Sequence, residues 1–127
     1  MKNIAIKAIT ATLLVASAAG AKCIHEKYPN VKPGTYTDTY TCKDKDATGY
    51  IKIVGDYEVE ATIRNFDYQE TIERVNCGWG SYDKFVLDSK GNTVYHNDFE
   101  YPNDNGYSCR RGWDKLVTQF KNRWGIR

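Results

Sequence analysis

Histidine is scarce in this chain: 127 residues contain only two, His25 and His96. An imidazole base therefore has two candidate positions, and no motif places an acid or nucleophile beside either of them. No glycine-rich phosphate loop, nucleophile elbow or metal-ligand cluster appears. Asp98, Glu100, Asp104 and Asn105 lie close in sequence but lack the spacing of a calcium loop, so a hydrophilic turn is expected there. The cysteines include no Cys-x-x-Cys pair, which argues against a zinc site. Asn-x-Ser/Thr does not occur, so N-glycosylation is not expected. These absences leave no catalytic residue, metal ligand or cofactor to assign. The sequence does not argue for an enzyme.

What is present begins with an export signal. Lys2 and Lys7 precede an apolar run from Ala8 to Ala19, and Ala19-Gly20-Ala21 fits a small-x-small cleavage site. The run is too short and too rich in alanine for a membrane anchor, and Lys22 before Cys23, where a small residue would be needed, argues against a lipoprotein. Residues 1–21 therefore read as a secretory signal peptide. The remaining 106 residues form one small domain whose core is marginal without cross-links. Cys23, Cys42, Cys77 and Cys109 all lie in that part. An even count in a small secreted chain predicts two disulfides, with three pairings open. Charge is uneven: residues 22–109 carry −5, and residues 110–127 carry +5.

The best-specified stretch is Gly49–Asn65. Ile51 and Ile53 alternate with Lys52, and Tyr57, Val59, Ala61 and Ile63 alternate with polar residues, a β-hairpin pattern with one buried face. A two-residue loop at Gly55-Asp56 would mix the faces. A three-residue loop at Val54–Asp56 keeps them consistent, pairing Ile53 with Tyr57, Ile51 with Val59 and Lys52 with Glu58. Thr35–Cys42 reads as another strand, with Tyr36, Tyr40 and Cys42 on one face. Residues 24–33 are expected to be irregular, with Pro29 and Pro33 opposing regular structure and His25 in solvent. Thr71–Asn76 follows a polar loop as a short strand, and Gly78–Ser81 presents Trp79. Lys84–Asp88 and Thr93–Phe99 make a second hairpin, with Gly91 suited to the left-handed position of a bulged turn. Five or six short strands predict a small disulfide-stapled antiparallel β-sandwich. In the tail, Trp113, Leu116, Val117, Phe120 and Trp124 form one helical stripe, which Gly125 could terminate. That stripe either docks on the sheet or meets a partner or membrane.

The order Cys23, Cys42, GYIKIVGDYEVEATI, Cys77, FVLDSKGNTVYHNDF, Cys109 resembles the MAX effectors of plant-pathogenic fungi over residues 22–109. The resemblance implies a six-stranded β-sandwich with a Cys23–Cys77 disulfide. It also implies a secreted, non-enzymatic virulence role exerted by binding a host protein, including after translocation into host cells. A second resemblance is to fungal ribonuclease-like effectors, through YDKFVLD at 82–88, Tyr107-Ser108-Cys109 and Tyr40-Thr41-Cys42. It implies α+β structure, a first-to-last disulfide and RNA binding without catalysis, since Lys84 and Glu100 stand where the catalytic arginine and histidine would fall. A third class is a toxin or antimicrobial protein acting on membranes through the basic tail.

The resulting expectation is a monomeric partner-binding protein in three segments: a leader (1–21), a stapled β-domain (22–109) and a basic helical tail (110–127). Trp79, Tyr95 and Phe99 are the candidates for the partner-binding face, with binding through a sheet edge or an aromatic surface. Arg110, Arg111, Lys115, Lys121 and Arg123 make the tail a second candidate surface, for nucleic acid or anionic membrane.

Overall fold

A computed structural model of the chain describes residues 11–16, 20–29, 35–66 and 68–126. Among the described residues, eight strands form a single antiparallel sheet in chain order: β1 (Ala11–Ala16), β2 (Lys22–Pro29), β3 (Tyr36–Lys43), β4 (Ala47–Val54), β5 (Glu58–Asn65), β6 (Glu70–Asn76), β7 (Ser81–Leu87) and β8 (Thr93–Glu100). One helix, α1 (Tyr107–Trp124), packs on β5 and β6. The fold is thus mainly β with a C-terminal helix and two disulfides. The expected second sheet of a sandwich is replaced by α1, whose apolar stripe supplies the second layer needed to bury the inner face. Leu116, Val117, Phe120 and Trp124 are all buried, so the stripe docks on the sheet.

The expected leader lies mostly outside the described residues. Its stretch Ala11–Ala16 forms β1, pairing antiparallel with β2 from Ala11↔Lys27 to Ala16↔Lys22. Beyond it there are seven strands, more than the five or six expected. The extra one is β2, where an irregular segment was anticipated. Pairing with β3 along its whole length overrides its weak alternation, and Pro29 sits at its end, where its missing N–H is tolerated. His25 is not in open solvent: it lies 2.8 Å from Asp38 and stacks on Tyr40 at 4.2 Å.

The β4–β5 turn has the predicted odd length but sits one residue later. Val54 pairs with Glu58, Ile53 with Val59, Ile51 with Ala61 and Lys52 with Glu60, leaving Gly55–Tyr57 as the loop. The sequence alternation demands parity only, and a shift of two pairing steps preserves it. Gly55, at φ 56°, takes the left-handed position in this turn. At the β7–β8 turn, Gly91 adopts φ 83° beside a register shift at Val86/Leu87, as the bulged turn predicted. Asp88 accepts hydrogen bonds there from the Lys90 and Asn92 N–H groups.

The disulfides are Cys23–Cys42 and Cys77–Cys109, so the Cys23–Cys77 link implied by the first resemblance and the first-to-last link implied by the second are both replaced. Cys23 and Cys42 are direct cross-strand partners on β2 and β3. Cys109 enters α1 in its first turn, because the helix starts at Tyr107 rather than at 110. Asp104 accepts from the Ser108 N–H and hydroxyl at that end. The Cys77–Cys109 bond therefore ties the start of α1 to the end of β6.

Candidate functional site

Alternation along paired strands puts whole cross-strand rows on one face. The row Tyr40, Ile51, Ala61, Glu73, Lys84 and Asn97 and the row Ile53, Val59, Val75, Tyr82 and Phe99 share the face covered by α1. The first row is apolar or aromatic over β3–β5 and polar over β6–β8; the second is apolar from Ile53 to Val75 and aromatic at Tyr82 and Phe99. Under the apolar half, α1 seals the core. Over the polar half a cleft of about 450 Å³ opens between strands and helix. Glu73, Tyr82, Lys84, Phe99, Tyr101 and Lys115 are among its walls.

Three aromatic rings organise this cleft. Tyr82 stacks on Phe99 at 4.8 Å, and Tyr101 meets Phe99 edge-on at 5.0 Å. The Tyr82 hydroxyl donates to Glu73 Oε2 at 2.8 Å. Burial, followed by this hydrogen bond and the Glu73 charge, raises the Tyr82 phenol well above its ordinary range; burial and Glu73 raise that of Tyr101 as well. Both remain neutral hydroxyls at physiological pH. They can donate hydrogen bonds, but they do not act as bases there.

All three expected partner-binding residues are exposed. Trp79 is 84% exposed in the β6–β7 turn, Tyr95 51% and Phe99 46% on β8. Asn76 shapes the Trp79 turn, its side-chain oxygen accepting from the Gly78 and Trp79 N–H groups. Tyr95 and Phe99 point to the helix side, and Lys84 lies over the Tyr95 ring at 5.9 Å. Trp79 borders a second cleft, which it shares with Tyr101 and the Cys77–Cys109 disulfide. Tyr101 thus links the Trp79 and Phe99 neighbourhoods, a role that sequence reasoning missed. The signal available was its place one residue past the β8 alternation, next to Pro102.

Strand β8 itself is exposed at every residue, and no other described strand pairs with its outer side. It leaves an eight-residue edge bearing Val94, Tyr95 and Phe99, all large exposed hydrophobics.

Four of the five tail cations meet a partner within the fold. Arg110 pairs with Asp56 at 3.2 Å, and Arg111 lies over Tyr107. Lys115 faces the cleft, and Lys121 lies over Tyr40. Arg123 pairs with Asp44 at 2.9 Å and covers the Trp124 ring at 4.2 Å. Lys84 and Glu100, the pair a ribonuclease would need together, fall on opposite faces: Lys84 is opposite Asn97, and Glu100 is opposite Ser81.

The strand period also gathers one cluster that the sequence did not announce. Asp83, His96 and Asp98 meet on the face away from α1, with one ligand atom of each within 4.8 Å of the others. His-x-Asp on a strand was the available clue, but its cross-strand partner required the register.

The geometry defines a small, disulfide-bearing meander sheet, covered on one face by a helix and, among the described strands, unpaired on the outer sides of β1 and β8. Two disulfides with no free cysteine fit an extracellular or secreted protein, and no described helix is long and apolar enough to cross a membrane. Compared with protein families, curated proteins and solved structures, the chain matches none.

Proposed function

We propose that this is a secreted, non-enzymatic binding protein that takes an extended segment of a protein partner as an additional strand on β8. The observation that carries this is the unpaired edge. Proteins ordinarily blunt a long edge strand with charge, proline, bulges or a covering element. Strand β8 carries charge at Asp98 and Glu100, but its eight exposed residues also present three large apolar side chains, Val94, Tyr95 and Phe99. In strand addition, main-chain hydrogen bonds supply affinity and alternate side chains supply specificity. Side chains of the incoming strand that point to the helix side meet Tyr95, Asn97 and Phe99, and through them the cleft. Trp79 stands at one end as an exposed anchor of the kind that dominates interface energetics.

The host-directed effector role is one version of this reading and rests on cysteine order and strand pattern. The RNA and membrane alternatives draw less support, because four of the five tail cations they would use already meet Asp56, Tyr107, Tyr40 or Asp44.

The test is selection of peptide ligands from a displayed random library on the disulfide-intact protein, followed by hydrogen-exchange mapping. Slowed exchange confined to β8, with binding lost in Val94→Lys and Phe99→Lys proteins, is the expected result. Ligands that protect only α1 or β2 would overturn it. So would sedimentation showing that β8 is already occupied by a second copy.

A further inference from the structure

We propose that Asp83, His96 and Asp98 form a binding site for a divalent transition-metal ion of the zinc type. The three side chains come from β7 and β8 and share the sheet face opposite α1, so this site is separate from the cleft and does not depend on the edge-strand reading. His96 and Asp98 are two residues apart on one strand and therefore lie on one side. Asp83 is the direct cross-strand partner of Asp98. His96 Nε2 lies 3.9 Å from Asp98 Oδ2, and one donor atom from each residue falls within a 4.8 Å set. Tetrahedral metal–ligand bonds of about 2.0–2.2 Å place donors roughly 3.4 Å apart, so side-chain rotations that draw these exposed groups together by about 1 Å bring all three onto one ion.

Electrostatics points the same way. Two aspartates directly opposite on neighbouring strands repel one another. Among the described residues neither forms an ion pair with a lysine or arginine: Arg74, the cross-strand partner of Asp83 on β6, turns to Glu60 on its other side at 3.4 Å. Glu100, two residues beyond Asp98 on the same face, adds further negative charge. A dication converts this repulsion into attraction, which a single imidazole cannot do while neutral. The imidazole is also oriented beforehand: Phe85 stacks on His96 with centroids 4.4 Å apart and planes 10° off parallel, and the Arg74 guanidinium covers Phe85 at 5.7 Å.

The donor set selects the ion class. One imidazole with two carboxylates suits zinc and related transition ions, whereas calcium and magnesium favour all-oxygen shells. Three protein ligands leave a coordination position for water or for a side chain from another molecule.

Isothermal titration of the disulfide-intact protein with zinc chloride at neutral pH tests the site, with cobalt as a spectroscopic probe. The expected result is one equivalent bound and a rise in melting temperature with zinc. Zinc affinity should fall about 10-fold or more in His96→Ala and in Asp98→Asn, with a correspondingly smaller rise in melting temperature. His25→Ala, which removes the other histidine, should bind as the parent does. Unfolding curves in EDTA establish that the variants are folded, and Asp98→Asn serves if loss of the Phe85 stack loosens His96→Ala. No saturable binding below about 1 mM, parent-like binding by both site variants, or loss of binding in His25→Ala would each overturn the proposal.

Discussion

Gly49 is where the sheet admits the helix, and substituting it tests how α1 is seated. A Cβ at this position would lie 2.6 Å from Trp124 Cζ2 and Nε1 and 2.7 Å from Cε2. Ordinary carbon contacts are about 3.5–4.0 Å, so the overlap approaches roughly 1 Å against three ring atoms. The ring has little room to yield. Trp124 is fully buried, packs near Phe120 at 6.2 Å and lies beneath the Arg123 guanidinium. Just beyond it, the Gly125 and Ile126 N–H groups close the helix on Asn122 and Lys121. Overpacking of this kind costs about 1–3 kcal/mol, and three backed contacts argue for the upper end. Replacing a strand glycine by alanine returns roughly 0.5–1 kcal/mol of backbone entropy. Gly49→Ala should therefore lose about 2 kcal/mol, a fall in melting temperature of about 8–16 °C for a domain near this size. Thermal unfolding followed by circular dichroism reads it directly. In a Trp124→Leu background the same substitution should cost less than about 1 kcal/mol, because the ring it strikes is gone. A Gly49→Ala protein as stable as the parent would refute this account of helix docking.

Three further outcomes follow from the packing. Non-reducing peptide mapping should recover Cys23–Cys42 and Cys77–Cys109; by loop closure their removal costs about 3 and 4 kcal/mol respectively, with the 32-residue separation the larger. Trp79→Ala should leave stability within about 0.5 kcal/mol while weakening any ligand selected on β8; a substantial stability loss would mean that Trp79 is packed rather than presented. Burial alone would raise the Asp44 carboxyl, but hydrogen bonds from Arg123 and from the Asp46 and Ala47 N–H groups outweigh it and hold it below the usual carboxylate range. Its contribution is therefore full above the unfolded carboxylate pKa and is lost as pH falls through the lowered folded value. Asp44→Asn should flatten that acid limb in a pH series of unfolding midpoints; an unchanged limb would show that the Arg123 contact is not maintained in solution.

Much of the organisation was legible from local chemistry. Alternation at Gly49–Asn65 specified a hairpin with an odd loop, and Gly91 marked a bulged turn, because side-chain period and positive φ are properties of a few adjacent residues. The stripe from Trp113 to Trp124 specified a helix for the same reason. The exposure of Trp79 was also legible, since a glycine-flanked loop aromatic is cheap to expose.

What the chain could not reveal locally were relations between distant residues. Parity fixes which face a strand turns inward, yet it leaves steps of two undecided, so Ile53 meets Val59 rather than Tyr57. Cysteine count predicts two disulfides, yet the partner of Cys23 depends on β2 becoming a strand, and only pairing with β3 makes it one. Whether the helical stripe covers a sheet or seeks a partner depends on Gly49 leaving space for Trp124. The cluster of Asp83, His96 and Asp98 likewise exists only through the β7–β8 register. The sequence by itself determined the strands from β3 to β8, the helix, their faces and the cross-linking of the cysteines, all governed by short-range sterics and composition. Tertiary structure alone decided the pairings, the single helix-covered sheet and the open β8 edge, because those follow from which distant surfaces bury one another.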